Sequence, residues 1–108
     1  MSDVKLIVAY PQPVDVESFE KIYMEEHVPM AIEKLAGKTK IVATKTLATP
    51  SGDIPPFYRI AEVHFPSMEA LEACAASEGG KATIGHAIEI SSGGAPTIMI
   101  AEEDTFTF

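Results

Sequence analysis

Among the 108 residues stand three histidines (His27, His64, His86), three tyrosines (Tyr10, Tyr23, Tyr58), one cysteine, Cys74, and a single arginine, Arg59. Proton transfer is the chemistry that such a set can perform, because an imidazole titrates near neutrality and a phenol can hold a carbonyl oxygen. His27 is the sharpest candidate. It follows Tyr23 by four positions on one helical stripe, which turns it inward, and it precedes Pro29, whose missing N–H deprives the Glu25 carbonyl of a helical partner. An inward imidazole oriented through one ring nitrogen presents the other to a ligand as a general base or hydrogen-bond partner. The plainer alternative is a core histidine that simply satisfies the freed carbonyl. Tyr10 and Tyr58, at the ends of two strands, and Tyr23, on the stripe of His27, are the residues that could line the same cavity, packing being the alternative. His64 shares the register of Tyr58, Ile60 and Glu62 and faces either that cavity or a seam between subunits. His86, opposite Ala87 and Ile88 on a short helix, reads as solvated.

Other chemistries find little to work with. The histidines and Cys74 lack the spacing of a dedicated metal site, so no metal is expected. Gly79-Gly80-Lys81 is a fragment of a phosphate loop without the strand, spacing or hydroxyl residue that would complete it. Cys74 lies on an apolar helical stripe among alanines and reads as an inert buried thiol.

The elements that must position these groups follow from pattern. Val4 to Tyr10 alternates as a strand apolar on most of both faces, ended by Pro11 and Pro13. Asp15 caps a helix whose Val16, Phe19, Ile22 and Tyr23 repeat at helical spacing. Pro29 is expected to push Val28 toward extended geometry and to kink or break the helix after His27. A second piece then buries Ile32 and Leu35 before Gly37 stops it. Lys40 to Thr49 and Tyr58 to Phe65 read as strands. Ser67 caps a helix over Met68–Ala76, Ser77-Glu78-Gly79-Gly80 interrupts, Lys81 to Glu89 forms a short helix, and Thr97 to Ala101 is the last strand. The order β-α-β-β-α-β predicts one α+β domain over residues 1–108, a ferredoxin-like fold with a four-stranded antiparallel sheet and helices on one face. The other face stays substantially apolar, which predicts a homodimer joined sheet to sheet.

Composition narrows the partners. Hydrophobic residues make up 46% and charged residues 22%, and eight bases stand against 16 acids for a formal charge of -8. That charge disfavours nucleic acid and anionic membrane, and the single arginine leaves little to clamp a large anionic ligand, so a neutral small molecule fits better. The start MSDVKLIVAY has neither the apolar run nor the cleavage site of a secretory signal, no stretch has the length of a membrane span, and a lone cysteine makes no internal disulfide; a reducing cytoplasm is the expected setting.

Taken in order, several motifs carry a resemblance. Tyr10-Pro11, the run Phe19-Glu20-Lys21-Ile22-Tyr23-Met24-Glu25-Glu26-His27-Val28-Pro29, the run from Phe57 to Ala70, and Ser77-Glu78-Gly79 through Ala95-Pro96-Thr97 together resemble the EthD family of the dimeric α/β-barrel superfamily. The resemblance implies a homodimer whose two sheets form a barrel, with a small-molecule pocket between sheet and helices in each subunit. The family is named for a protein accompanying ether breakdown. Fungal relatives act as dehydratases or decarboxylases on aromatic polyketides, and wider relatives include cyclases, lactone isomerases and quinol monooxygenases. The family's inward histidine matches His27. Two departures alter pocket polarity: Ile22-Tyr23 stands where many members carry an aromatic pair, and His86 where many carry an acid. The resemblance implies a small enzyme performing cofactor-independent proton transfer on a neutral aromatic or cyclic metabolite. The alternative is an accessory protein that binds a hydrophobic small molecule without altering it.

Overall fold

The alternation of the first segment produces an inner strand. In the computed structural model, which describes residues 3–108, β1 (Asp3–Pro11) pairs antiparallel with β3 (Phe57–Phe65) on one side and β4 (Thr97–Glu103) on the other. β2 (Lys40–Lys45) joins the far edge of β3, giving the order β2-β3-β1-β4. This is the expected α+β ferredoxin-like arrangement. Val4, Leu6, Val8 and Tyr10 lie beside Phe65, Val63, Ala61 and Arg59 on the face toward the helices; Lys5, Ile7 and Ala9 lie beside His64, Glu62 and Ile60 on the other. The molecule measures 38 × 37 × 20 Å, and the short axis accommodates one sheet and one helical layer, so among the described residues no helix covers the second sheet face. Among the described residues no helix is long and apolar enough to cross a membrane.

The first helical region departs from expectation. Asp15 caps α1 (Val16–Ile22) by accepting a 3.2 Å bond from the Ser18 N–H. The chain then makes a π turn over Tyr23–His27 and continues without a break into α2 (Val28–Lys34). Val28 is helical, at φ -60° and ψ -47°, rather than extended, and its N–H reaches back five residues to the Tyr23 carbonyl. The wider turn accommodates Pro29, and the helix resumes with that proline in its first turn, where a missing N–H costs least. One added residue also advances the phase of all that follows. Ala31 and Leu35 therefore point inward, four and eight positions after His27, whereas Ile32, expected inside, is 58% exposed.

Two further differences have local causes. β3 bulges where Tyr10 faces Arg59 but Pro11 faces Phe57, leaving Tyr58 without a partner opposite, because Pro11 cannot donate to the ladder. The bulge takes Tyr58 off the register of Ile60, Glu62 and His64 and sets its ring edge-on to Phe19 of α1, 5.9 Å between centroids. In the second half of the chain, α3 (Met68–Ala76) is followed at once by α4 (Glu78–Ile90), longer than expected, with Ser77 capping it through a 3.0 Å bond from the Gly80 N–H. Gly79 and Gly80 do not interrupt the helix; they let it approach its neighbours. A Cβ at Gly79 would stand 2.3 Å from the Lys34 carbonyl oxygen at the end of α2, and one at Gly80 would stand 1.9 Å from that of Cys74 in α3. β2 is shorter than expected, ending at Lys45, and β4 is longer, ending at Glu103.

This close approach is testable in one helix. Gly80→Ala should destabilise the fold by about 2 kcal/mol or more, because the obstructing atoms are backbone. Gly85→Ala, at a position of α4 with nothing within 4 Å, should stabilise it by about 0.5–1 kcal/mol through helix propensity. Urea denaturation midpoints of opposite sign are expected; a neutral Gly80→Ala would show that α4 can move away freely.

Candidate functional site

The π turn builds a column of rings. Phe19, Tyr23 and His27 recur at four-residue spacing, and their rings lie nearly parallel, at 17° and 24° with centroids 5.6 and 5.8 Å apart. His86 of α4 extends the column, its ring 5.1 Å from that of His27 and inclined by 18°. Tyr10, from β1, stands edge-on to the column, 5.3 Å from Phe19, 5.4 Å from Tyr23 and 6.3 Å from His27. Both nitrogens of His27 are engaged: Nε2 lies 3.2 Å from the Tyr10 hydroxyl and Nδ1 lies 2.9 Å from Nδ1 of His86. The Glu25 carbonyl is not among these partners. His86 is half-buried beside its buried neighbour Ala87, so it does not stand free in solvent. Ile88, opposite His86, does not mark the buried face: it is 52% exposed, and α4 turns Thr83 and Ala87 inward, which brings His86 to the edge of the core.

Beside the column is a cavity of about 40 Å³, bounded by Leu6, Val8, Tyr10, Ala61 and Val63 of the sheet and by Tyr23, His27, Val28, Ala31, Thr83 and Ala87 of the helices, among others. Its lining contains no charged residue apart from what His27 could acquire. Space of this size admits a few waters or a compact ligand, and a larger ring enters only if the aliphatic walls give way. Burial, and after it the neighbouring His86, lowers the pKa of His27 to about 4, so the ring is neutral at physiological pH. Burial raises the Tyr10 phenol well above its ordinary range and, outweighing the nearby Arg59, raises that of Tyr23 to about 12.

The chain's one arginine braces this assembly. Buried Arg59 binds Glu20 of α1 through two guanidinium nitrogens, donates from Nη1 to the Ala43 carbonyl at 3.3 Å, and places its Cζ 5.2 Å above the Tyr23 ring. The guanidinium holds the Glu20 carboxyl below its ordinary range. Arg59 thus ties β3 to the helix carrying the column.

Of the candidates drawn from sequence, the fold brings Tyr10, Tyr23 and His27 together and leaves two apart. Tyr58 borders a separate hollow under residues 46–55, its hydroxyl enclosed on the side of the Glu20 carboxylate. His64 is on the opposite sheet face, only 2% exposed, with Nε2 3.9 Å from Glu62 and Nδ1 3.7 Å from Glu103. Glu62, His64 and Glu103 bring donor atoms within 4.8 Å of one another, a grouping that no sequence motif announces. The Lys5 ammonium is already bound to both carboxylates there and supplies the positive charge. Cys74 is buried in the second core cluster with Leu71, Phe65 and Leu35.

Together these features make an α+β, ferredoxin-like domain with an aromatic column and a buried, neutral histidine beside an apolar cavity. The model of the EthD domain matches residues 11–88, and the chain belongs to that family. It is 29% identical over 102 residues, 94% of this chain and 95% of the other, to an uncharacterized 11.0 kDa protein in the thcB-thcC intergenic region of Rhodococcus erythropolis. The crystal structure of an EthD family protein from Bacillus halodurans C-125 superimposes with a TM-score of 0.88 at 30% identity, covering 96% of this chain and all of that one. An EthD-like protein from Ralstonia eutropha JMP134 shares the fold, with a TM-score of 0.72 at 24% identity over 94% of this chain and 91% of the other.

The state of His27 leaves a signature in stability. Its folded pKa lies below the ordinary imidazole value of 6.5. As pH falls through that value the unfolded chain gains a proton that the folded chain refuses, so stability declines down to about pH 4 and this contribution then levels off. The melting temperature should fall between roughly pH 7 and roughly pH 5, above the range in which Glu20 titrates, and His27→Gln should flatten that slope. An equal slope in the variant would show that His27 charges freely in the folded state.

Proposed function

We propose that this chain is a small-molecule enzyme of the EthD type in which His27 moves a proton without a cofactor, in the dehydration, isomerisation or cyclisation of a neutral aromatic or cyclic metabolite. The observation that carries this reading is the imidazole itself: it is buried, uncharged and turned toward an apolar cavity, with a phenol at its Nε2. A neutral ring has a lone pair available at physiological pH, which a base must have. The 3.2 Å contact with Tyr10 is long enough for a substrate oxygen to take over the phenolic proton, leaving Nε2 to abstract a proton next to a carbonyl while Tyr10 stabilises the developing oxyanion. Tyr23 would hold a second oxygen, and the uncharged lining favours a neutral ligand. The fold carries small-molecule enzymes elsewhere: a hydroxynitrile lyase from Passiflora edulis and SnoaB, a cofactor-independent oxygenase from Streptomyces nogalater, share it at 8% and 10% identity.

The aliphatic character of most of the lining favours a second reading, an accessory protein that carries a hydrophobic molecule unchanged. The two separate in deuterated water. With a panel of enolisable cyclic and aromatic ketones and lactones, the enzyme should exchange ligand protons, and His27→Gln should slow that exchange by about a hundredfold or more while ligand binding persists. Binding by the native protein with no exchange at all would assign it the carrier role.

The reading includes a homodimer. On the uncovered sheet face Val42 and Met99 are 37% and 46% exposed, next to the half-buried Ile7 and Ile60. This apolar ground supports pairing of two sheets. Sedimentation should give twice the 11.6 kDa chain mass, and the double variant Val42→Glu, Met99→Lys should give the single mass. A native particle of one chain would remove the dimer.

A further inference from the structure

The two imidazoles at the end of the ring column impose a choice on each other. Nδ1 of His27 and Nδ1 of His86 are 2.9 Å apart, so in the uncharged pair one carries the proton and the other accepts it. If His86 donates, the single N–H of His27 is at Nε2 and donates to the Tyr10 oxygen. The phenolic proton of Tyr10 is then left without a protein acceptor, since His27 is the one hydrogen-bond partner of that hydroxyl among the described residues, and Tyr10 is completely buried. Leaving a buried donor unmet costs about 1–3 kcal/mol. If His27 donates instead, its Nδ1–H goes to His86, its bare Nε2 accepts from Tyr10, and every inner group is satisfied. This chain of bonds, Tyr10 to His27 to His86, selects the His27 tautomer that is the minor one for free histidine.

We propose that His86 is a positioning residue that accepts the Nδ1 proton of His27 and thereby keeps the bare Nε2 turned toward Tyr10 and the cavity. The use of that nitrogen as a base rests on the proposed function; the tautomer does not. When a proton arrives at Nε2, the resulting cation keeps its Nδ1–H on His86, which shares the charge at a ring with access to water. The remaining titratable neighbours offer no anionic acceptor: Tyr10 and Tyr23 are held as neutral phenols by burial, and Arg59, over the Tyr23 ring, donates only.

Long-range proton–nitrogen correlation spectra of protein labelled with ¹⁵N-histidine read each ring nitrogen directly. In the native protein near neutral pH, His27 should show a protonated Nδ1 and a bare Nε2. His86→Leu, at a half-buried position, removes the acceptor and should produce a substantial Nε2–H population. His86→Asp, whose carboxylate can only accept, should restore the Nδ1–H form and raise the His27 pKa. An Nε2–H tautomer in the native protein, or the native tautomer unchanged in His86→Leu, would overturn the proposal; the native spectrum decides even if a variant does not fold. Should the tautomer be as stated while ketone exchange is absent, the catalytic reading fails and the positioning role stands.

Discussion

The five-residue hydrogen bond from Val28 to Tyr23 is the constraint on which the site depends. It makes room for Pro29 within a continuous helix, and it rotates everything downstream by one residue. Without it, the spacing that puts Tyr23 and His27 in a stack would run into a proline-induced break, and an uninterrupted 3.6-residue period from Phe19 and Tyr23 would bring Met30 to the inward place that Ala31 holds. A long methionine in the cavity wall would take up space that the smaller alanine leaves open. A π turn is less favourable than an α turn and is retained where its geometry is useful; here it joins the ring column to the floor of the cavity.

The column needs support from elements distant in sequence. α4 brings His86 within reach only because Gly79 and Gly80 permit backbone contact with the ends of α2 and α3. From the other side, the Arg59–Glu20 ion pair joins the sheet to α1 while the guanidinium covers the Tyr23 ring. Tyr10 stands where these constraints meet. It is an inner-strand residue at full burial with ring contacts to three members of the column, and its one polar atom points at His27. Rigid surroundings of this kind keep a soft 3.2 Å contact in place without requiring it to be a strong one.

Much of this was legible in sequence. The strands and their succession along the chain followed from period-2 alternation, and the inward direction of His27 followed from its distance to Tyr23, because both are local regularities. The features that were not legible depend on contacts between remote segments. A proline in a helical stretch predicts a break, and the alternative of a π turn is decided by how well Tyr23, His27 and Ala31 pack. Tyr58 alternated correctly with Ile60 and Glu62 until a bulge, caused by Pro11 on a different strand, turned it toward Phe19. Two adjacent glycines usually mean a loop; in α4 they mean close packing, which shows only when the neighbouring carbonyls are in place. His86 reads as solvated because it lies opposite the apolar Ile88, yet Ile88 faces outward and the small Thr83 and Ala87 face the core.

The two buried histidines illustrate how little residue type alone decides. His64 shares its side of the sheet with Lys5, Glu62 and Glu103, and both ring nitrogens are within 4 Å of a carboxylate. Lys5 is bound to both of those carboxylates and supplies the positive charge there. His27, on the other side, meets a phenol, a second imidazole and aliphatic walls, none of which can compensate a positive charge by more than sharing it. A cationic His27 is therefore costly and returns its proton readily, which is what the proposed role as a base asks of it.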